Sequence, residues 1–202
     1  MSLKANNLGF YYKKNEWLFK NVEFELSYGE ILGISGYSGC GKTSLAKVLS
    51  NYLKPVNGQV LVDGEPFKDG VFQPVQLIYQ HPEKVLNPKW KLKDLLCESY
   101  TPSQDIIDSF GIKEEWLERF PMEISGGEMQ RFCIVRALNP QTKYIIADEM
   151  TTMLDAITQA KIWRQLLRIC KERKIGLAII SHETEIISKL CDKVISLEAI
   201  ER

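Results

Sequence analysis

The sequence predicts an α/β fold with a mostly parallel sheet, an N-terminal antiparallel β subdomain and a small inserted helical subdomain. Up to about residue 35, apolar and polar residues alternate, which is typical of strands with one buried face. From residue 143 onward, apolar strands alternate with helices, which indicates a parallel sheet. Between these regions, residues 82–123 contain several prolines and short amphipathic segments but no convincing strand, so we interpret them as a helical insertion.

The elements are expected in the following order. Strands are predicted at LGFYY, NVEFEL and EILGIS, a helix in GYSGCGKTSLAKVLSNYL that Pro55 ends, and strands at GQVLVDG and PVQLIYQ, the last ending at Gln80. The insertion has amphipathic pieces at KLKDLLCESY, SQDIIDSF and KEEWLERF. Strands KYIIAD, GLAIIS and DKVISLE then alternate with helices ITQAKIWRQLLRICKER and ETEIISKL. We expect one domain over residues 1–202, with a catalytic core at 1–81 and 140–202 and a helical subdomain at about 82–139.

Composition excludes several functional classes. Lys and Arg total 26, as do Asp and Glu, so the net charge of about zero does not support long-range attraction to nucleic acids. The five cysteines lack C-x-x-C spacing, which favours a reducing cytosol over a disulfide or zinc framework. No apolar run approaches the roughly 20 residues of a membrane helix, and the N-terminus does not resemble a signal peptide. We expect Cys97, Cys133, Cys170 and Cys191 to be small core residues.

A phosphate-binding motif follows the third strand. GYSGCGKT, residues 36–43, fits G-x-x-x-x-G-K-[ST] between an apolar strand and a helix. Its glycines let backbone N–H groups converge on phosphate oxygens, Lys42 adds a charge for the β- and γ-phosphates, and Thr43 offers a hydroxyl to Mg²⁺. This motif predicts a P-loop NTPase core.

An acidic pair completes the predicted site. Asp148 ends an apolar strand, where its carboxylate can approach Mg²⁺, and Glu149 follows, where it can orient or deprotonate the attacking water. Such a pair is typical of phosphoryl-transfer enzymes.

The stretch ISGGEMQR, residues 124–131, predicts a second anion site. Ser125 and Glu128 have the spacing of a capping box, so a helix begins here with two glycines in its first turn. A helix N-terminus with so few side chains can bind an anion through its backbone N–H groups.

Together these motifs resemble the ATP-binding-cassette (ABC) ATPases over essentially the whole chain. GYSGCGKT is similar to the Walker A motif, YIIADE to Walker B with its catalytic glutamate, and ISGGEMQR to the signature LSGGQ-x-Q-R. The surrounding sequences YQHPEKVLNP and DEMTTMLDAITQA resemble most closely the peptide/nickel importer ATPases.

The resemblance implies roles for residues outside these motifs. Gln80 resembles the Q-loop glutamine, which contacts the metal and the attacking water; Asp155 resembles the D-loop aspartate. His182 resembles the switch histidine at the γ-phosphate. Tyr12 occupies the place of the aromatic residue that stacks on adenine, and since Tyr11 points to the opposite face, only one of the two tyrosines can do so.

The residue assignments implied in this way fall into three sets. The catalytic residues are Glu149, His182 and Gln80, and the metal ligands are Thr43, Gln80 and Asp148. The nucleotide-binding residues are Tyr12, Gly36, Ser38, Gly39, Cys40, Gly41, Lys42, Thr43, Ser44, Ser125, Gly126, Gly127 and Asp155.

The implied function is that of the ATP-hydrolysing motor subunit of a membrane transporter, an importer of peptides, nickel or a similar small solute. ATP and Mg²⁺ are the implied cofactors. Two cassettes, identical or different, would pair head to tail, with each signature helix facing the ATP in the partner's Walker A loop. Integral membrane permease subunits would be the other partners and would hold the chain at the inner face of the membrane, with no direct nucleic acid contact. Residues 80–100, with Trp90, are the candidate permease contact.

Three features depart from the family pattern. Met150 replaces the proline that usually follows the catalytic glutamate, which predicts a less constrained turn, and Glu128 replaces the signature glutamine. The helical insertion is also short. Cys40, beside Lys42 and a helix N-terminus, is predicted to be a reactive thiolate whose alkylation blocks activity.

The sequence also allows three alternative functions. A soluble ABC ATPase without a transporter is one, although repair types need a coiled-coil insertion and translation types two cassettes, and neither is found. A nucleotide-gated binding module without turnover is another, against which Glu149 and His182 argue. A P-loop kinase outside the ABC family would have no use for ISGGEMQR.

Overall fold

The part of the chain that the structure describes forms two β-sheets, one antiparallel and one parallel, together with helices. The structure is a computed structural model and describes residues 1–14 and 16–197. It divides into two units, which we call the core unit (residues 1–77, 142–149 and from 170 onward) and the helical unit (residues 78–141 and 150–169). The α/β fold predicted from the sequence is therefore confirmed.

The antiparallel sheet has the strand order β2-β1-β4-β5. Its strands are β1 (Ser2–Tyr11), β2 (Trp17–Ser27), β4 (Asn57–Val62) and β5 (Glu65–Pro66). Buried and exposed residues alternate along β2 from Val22 to Ser27, because one face of the sheet packs on the core and the other meets solvent. The two-residue strand β5 was not predicted, since so short a segment carries no periodicity.

The parallel sheet has the order β6-β7-β8-β3-β9. Its strands are β3 (Ile31–Ser35), β6 (Val75–Ile78), β7 (Tyr144–Asp148), β8 (Gly176–Ile180) and β9 (Lys193–Ser196). Every residue of β7 and β8 is buried, as expected for parallel strands covered on both faces. The parallel pairing of β7 with β8 ends at Asp148 and Ile180, so the acidic residue lies at the carboxyl end of its strand.

Six α-helices are found among the described residues. They are α1 (Lys42–Leu49), α2 (Leu92–Leu96), α3 (Gln104–Ser109), α4 (Gly126–Ala137), α5 (Ala156–Arg173) and α6 (Thr184–Leu190). Helix α1 ends before Pro55 because Asn51 adopts a left-handed conformation with φ of 64°. KEEWLERF forms only a 3-10 turn at Glu114–Trp116, and β6 ends at Ile78 instead of Gln80.

The core unit is held together by apolar side chains from both sheets and α1. Leu45 and Leu49 of α1 are fully buried and belong to one hydrophobic cluster with Ile34 of β3 and Ile146 of β7. Burial of such side chains contributes roughly 1.5–3 kcal/mol each. This packing fixes the start of α1, and with it the loop of residues 36–43, against the carboxyl ends of β3 and β7.

The helical unit has a separate set of buried residues. Helix α2 packs on α4, and Leu92, Leu95 and Phe132 are buried there. The Gln130 side chain of α4 donates to the Tyr79 carbonyl oxygen at 3.0 Å, which ties α4 to the segment just before Gln80.

The cysteine predictions are confirmed in part. Cys133 and Cys170 are buried, as predicted, and Cys191 is half-buried. The prediction for Cys97 is wrong: the residue follows the last turn of α2, past its apolar face, and is exposed. Among residues 1–14 and 16–197, no helix combines the length and the apolar character needed to cross a membrane.

Candidate active site

The loop of residues 36–43 joins β3 to α1 through backbone conformations that favour glycine. Gly39 and Gly41 have φ values of 85° and 99°, in the left-handed region, and Gly41 is the N-cap of α1. A Cβ atom at Gly36 would lie 2.6 Å from the sulfur of Cys40, so the first glycine is required for space. No side chain caps α1, which leaves the N-terminal backbone donors of this helix for an anion.

The Lys42 side chain folds back over its own loop. Its ammonium group donates to the carbonyl oxygens of Gly36, at 2.8 Å, and Tyr37, at 3.0 Å, and only 7% of the residue is exposed. The same nitrogen lies 4.0 Å from Oε1 of Glu149. The cation is therefore held at the mouth of the loop, where phosphate oxygens can bind it.

Asp148 presents a carboxylate that the protein itself does not fully satisfy. The side chain is buried, and its Oδ1 atom has no hydrogen-bond partner. Burial raises the pKa of the Asp148 carboxyl above its usual value, and a hydrogen bond with the Thr43 side chain opposes this shift. An orphaned buried carboxylate oxygen beside a threonine hydroxyl matches the oxygen ligands that Mg²⁺ prefers. These residues therefore fit a Mg²⁺ ion.

Glu149 and His182 form a second pair at the same edge of the sheet. The His182 Nδ1 atom lies 3.1 Å from Oε1 of Glu149, the oxygen that also faces Lys42. Glu149 has a φ of 47°, and its N–H donates to the Ile180 carbonyl oxygen at 2.9 Å, so tertiary structure holds a strained backbone. The arrangement holds one carboxylate oxygen of Glu149 between two nitrogen groups.

Tyr12 lies beside the loop, at the end of the antiparallel sheet. Its ring makes an edge contact with Phe10, with centroids 5.0 Å apart, and its hydroxyl oxygen is 3.2 Å from Oγ of Ser44. The side chain is 64% exposed, which leaves ring surface for a ligand. Tyr11 packs instead against Trp17, with centroids 4.8 Å apart. Adenine stacking by Tyr12 stays a prediction that this geometry allows.

The signature stretch in the helical unit begins α4, with the predicted capping box. The Ser125 side chain accepts from the Glu128 N–H at 3.3 Å, and the Glu128 carboxylate accepts from the Ser125 N–H at 2.8 Å. Ser125, Gly126, Gly127 and Asp155 line one cavity of about 580 Å³. The structure therefore brings these four predicted residues together. Gln80, half-buried, belongs to the same unit but does not line this cavity.

Asp155 also has a structural task. Its carboxylate accepts from the N–H groups of Ile157 at 3.1 Å and Thr158 at 3.0 Å, which satisfies donors at the start of α5. These bonds lower the pKa of Asp155, with the Thr158 side chain and backbone as the largest contributors.

Two sequence-based predictions about this region stay predictions. Cys40 is only 5% exposed, and a Cβ atom at Gly36 would lie 2.6 Å from its sulfur, so access to the thiol is narrow. Met150, which follows Glu149, is buried. The next residue, Thr151, accepts from the side chains of Gln159 at 2.9 Å and Trp163 at 3.2 Å, which anchors the turn.

Sequence reasoning missed two cations of the signature cavity, Lys113 and Arg131. Arg131 lies one turn beyond Glu128 on α4, which was a usable signal, since residues three apart share a helix face. Lys113 enters from a distant loop, and no local pattern marks it.

The chain is similar in sequence to a known family and to several of its members. Residues 19–152 match the family described as ABC transporter. The chain is 31% identical to "Probable D,D-dipeptide transport ATP-binding protein DdpF" of Escherichia coli, over 96% of this chain and 68% of that protein. It is 29% identical to the nickel import system ATP-binding protein NikE of Staphylococcus aureus (strain RF122), over 97% of this chain and 86% of that one.

Solved structures share the fold. A dimeric ATP-binding cassette in a post-hydrolysis state, bound to ADP and Pi, superposes with a TM-score of 0.84 at 23% identity, covering 99% of this chain and 97% of that one. The cassette protein cbiO1 from Clostridium perfringens, part of an ABC transporter complex, gives a TM-score of 0.77 at 24% identity, covering 96% and 83%.

Proposed function

This chain belongs to the ABC transporter family as an ATPase subunit, and we propose that it hydrolyses MgATP to drive import of a peptide, nickel or a similar small solute. The single observation that carries the proposed chemistry is the convergence of Lys42 and His182 on one oxygen of Glu149, next to Asp148, whose Oδ1 atom has no hydrogen-bond partner. The choice of solute class rests on the names of relatives at 29–31% identity.

Nucleotide binding is assigned to the loop and the residues around it. The backbone donors of residues 36–43 and Lys42 would bind the phosphates, Ser44 would take part at the start of α1, and Tyr12 would stack on the base. Because Lys42 already rests on two carbonyl oxygens of its own loop, a phosphate would only have to replace neutral acceptors with charged ones.

Thr43 and Asp148 are the core-unit residues that we propose hold Mg²⁺, which would neutralise negative charge on the phosphates when bound. Gln80 would be a further ligand, a role that rests on the resemblance to the family alone. In the described residues, no group of three or more His, Cys, Asp and Glu side chains could hold a metal. A small protein ligand set suits Mg²⁺, which keeps waters and binds substrate oxygens.

Hydrolysis is assigned to Glu149. Its carboxylate would orient and accept a proton from the attacking water, and His182 would hold that carboxylate in place and contact the γ-phosphate. Catalysis by positioning requires fixed side chains, and the tertiary hydrogen bond of the Glu149 N–H supports such fixation.

The second anion site is assigned to a partner's nucleotide. Ser125, Gly126 and Gly127 would meet the γ-phosphate held by the loop of another cassette, identical or different, and Asp155 would lie at the same junction. ATP would then join two cassettes and hydrolysis would release them, which makes the nucleotide a ligand that biases two states.

Permease subunits are the proposed membrane partners. We assign their contact to residues 80–100, where Trp90 is 44% exposed and lies with Phe120, Lys89, Lys91 and Asp94 around a cavity of about 470 Å³. Through them the chain would work at the inner face of the membrane. We also retain the proposed division into a core of residues 1–81 and 140–202 and a helical subdomain at about 82–139.

The test is the Glu149→Gln variant. We expect ATP hydrolysis to fall on the order of 100-fold or more, because the proton acceptor is lost while phosphate binding remains. Light scattering should show the variant's mass double at saturating MgATP. Glu185→Gln, at an exposed position on α6, is the matched control and should retain normal turnover. Wild-type hydrolysis by Glu149→Gln would contradict the catalytic assignment, and a variant that stays monomeric in MgATP would contradict the paired cassettes.

A further inference from the structure

The Glu128 carboxylate occupies donors of the signature helix that a phosphate would need. We propose that Glu128 is a positioning residue that competes with the partner's nucleotide for Ser125, and so raises the MgATP concentration at which two cassettes pair. The inference deepens the proposed function and rests on the paired cassettes described above.

Competition for Ser125 follows first from the contacts of one carboxylate oxygen of Glu128. Oε2 of Glu128 accepts from the Ser125 N–H at 2.8 Å and from the Ser125 hydroxyl at 2.9 Å. A serine hydroxyl has a single hydrogen to donate, so Ser125 cannot donate to a phosphate while this bond is made. The donors left at the start of α4 are backbone N–H groups of the first turn, including those of Gly126 and Gly127.

The charges of the cavity carry the second step. Its charged lining residues are two cations, Lys113 and Arg131, and two carboxylates, Glu128 and Asp155, so the formal charges cancel. The Ser125 N–H bond is the main reason that the pKa of Glu128 lies below its usual value, and the residue is therefore ionised at neutral pH. An approaching γ-phosphate would meet a fixed negative charge at the very donors it needs.

Capping does not require this charge. A glutamine at position 128 could still accept from the Ser125 N–H through its amide oxygen, since glutamine also serves in capping boxes. What glutamate adds is a charge-assisted bond, which is stronger than a neutral one, and repulsion of a second anion. Exchange of glutamate for glutamine therefore separates helix capping from competition with the phosphate.

Glu128→Gln should be introduced into the Glu149→Gln background, which retains bound ATP under the proposed function. We expect half-maximal dimer formation, followed by light scattering during MgATP titration, at a roughly 2- to 10-fold lower MgATP concentration, given the usual strength of charges at helix ends. The difference should shrink as ionic strength rises, because added salt screens the lost charge. The thermal unfolding midpoint should fall slightly, because the charge-assisted cap is lost. A merely structural role of Glu128 would predict that loss of stability without the lower MgATP concentration for pairing.

Glu123→Gln is the matched control. Glu123 also accepts a backbone N–H in a capping arrangement, from Phe120 at 2.7 Å, but it does not line the cavity. An equal gain with Glu123→Gln, an unchanged or higher midpoint with Glu128→Gln, or a gain that persists at high salt would each overturn the inference. If Glu149→Gln dimerises normally, such a result leaves the proposed function standing; if it does not dimerise at all, both fail.

Discussion

Helices α1 and α4 both begin with glycines, yet their N-termini differ in one respect that matters for function. At α1 the N-cap is Gly41 in a left-handed conformation and no side chain caps the helix. The Lys42 ammonium lies beside this N-terminus, and the carboxylate of Glu149 faces the ammonium and does not bind the helix donors. At α4 the N-cap is Ser125, which is already bonded to Glu128. The donors at the start of α1 are thus left for an anion, whereas at the start of α4 the Ser125 N–H is already bonded to a carboxylate.

The two sites also differ in how much folding stability each loses when no ligand is bound. At the first site, one buried oxygen of Asp148, at the end of β7, has no hydrogen-bond partner, and the buried Lys42 side chain folds over neutral carbonyl oxygens of its loop. Both arrangements cost stability, which a bound MgATP would recover. The start of α4 is satisfied by its own side chains, so binding there must exchange one set of hydrogen bonds for another and should be weaker.

Among the substitutions that test this comparison, Asp148→Asn should have the largest effect, because it removes the unsatisfied buried group of the first site. We expect ATP hydrolysis to fall on the order of 100-fold, because a ligand and its charge leave the metal site. Thermal stability at neutral pH should stay level or rise, because the desolvation cost of the buried carboxyl group is removed. Burial raises the folded-state pKa of this acid, so its ionised form destabilises the fold above that pKa.

The raised folded-state pKa of Asp148 also predicts how the difference in stability between the wild type and Asp148→Asn depends on pH. As pH falls through the raised folded-state pKa, Asp148 becomes neutral and the wild type gains stability relative to the variant. Calorimetry of both proteins over a pH series provides the measurement. A variant that is much less stable than the wild type at neutral pH would show that Asp148 supports the fold, contrary to the comparison.

Substitution of alanine for a glycine at the N-terminus of α4 or of α1 should have the next largest effect. Gly126→Ala should raise the MgATP needed for dimer formation about tenfold, because a methyl group blocks close approach of the partner's phosphate. The stability of the Gly126→Ala variant should not fall, since the new Cβ would lie 3.5 Å from the Met153 sulfur, an ordinary van der Waals distance, and alanine favours a helix. Light scattering in the Glu149→Gln background and thermal unfolding measure the two quantities.

Gly41→Ala is the contrasting substitution. Here φ is 99°, and the new Cβ would lie 3.2 Å from the Phe19 ring and 3.3 Å from Leu18, so we expect a loss of about 1–3 kcal/mol in unfolding free energy. If Gly126→Ala destabilises the protein as much as Gly41→Ala does, the second site is as dependent on glycine backbone freedom as the first, and the contrast between them disappears.

The sequence predicted those parts of the site that are set by short-range geometry. The loop of residues 36–43 and the capping box at Ser125 each lie within eight residues, so their spacing alone specifies the local structure. The parallel sheet was likewise predictable from apolar strands such as β7 and β8. The prediction failed at Cys97, which lies just past the end of α2 and is exposed, because the apolar pattern of the sequence does not mark where so short a helix stops.

The cavity at α4 shows a second limit of prediction from sequence, which is that tertiary packing brings distant residues together. Lys113, which lines this cavity, comes from a loop outside the signature stretch. The neighbouring residue Thr151 is held by hydrogen bonds from Gln159 and Trp163, which both lie on α5. Each of these contacts joins segments whose proximity is a product of tertiary packing. A residue type at a given spacing cannot report it.

Tyr12→Phe should have the smallest effect, and it asks whether the first site extends beyond its loop. The Tyr12 hydroxyl lies 3.2 Å from Oγ of Ser44, two residues into α1, so it can set the direction of that hydroxyl toward a phosphate. Removing one neutral, partly exposed hydrogen bond should weaken ATP binding roughly twofold, whereas Tyr12→Ala, which also removes the ring, should weaken it by roughly another fivefold. Fluorescence titration with ATP and with adenosine separates the two contributions, because only ATP has phosphates for Ser44 to contact. If Tyr12→Phe weakens adenosine as much as ATP, the hydroxyl acts through the ring's packing on Phe10, and the receptive site ends at the loop itself.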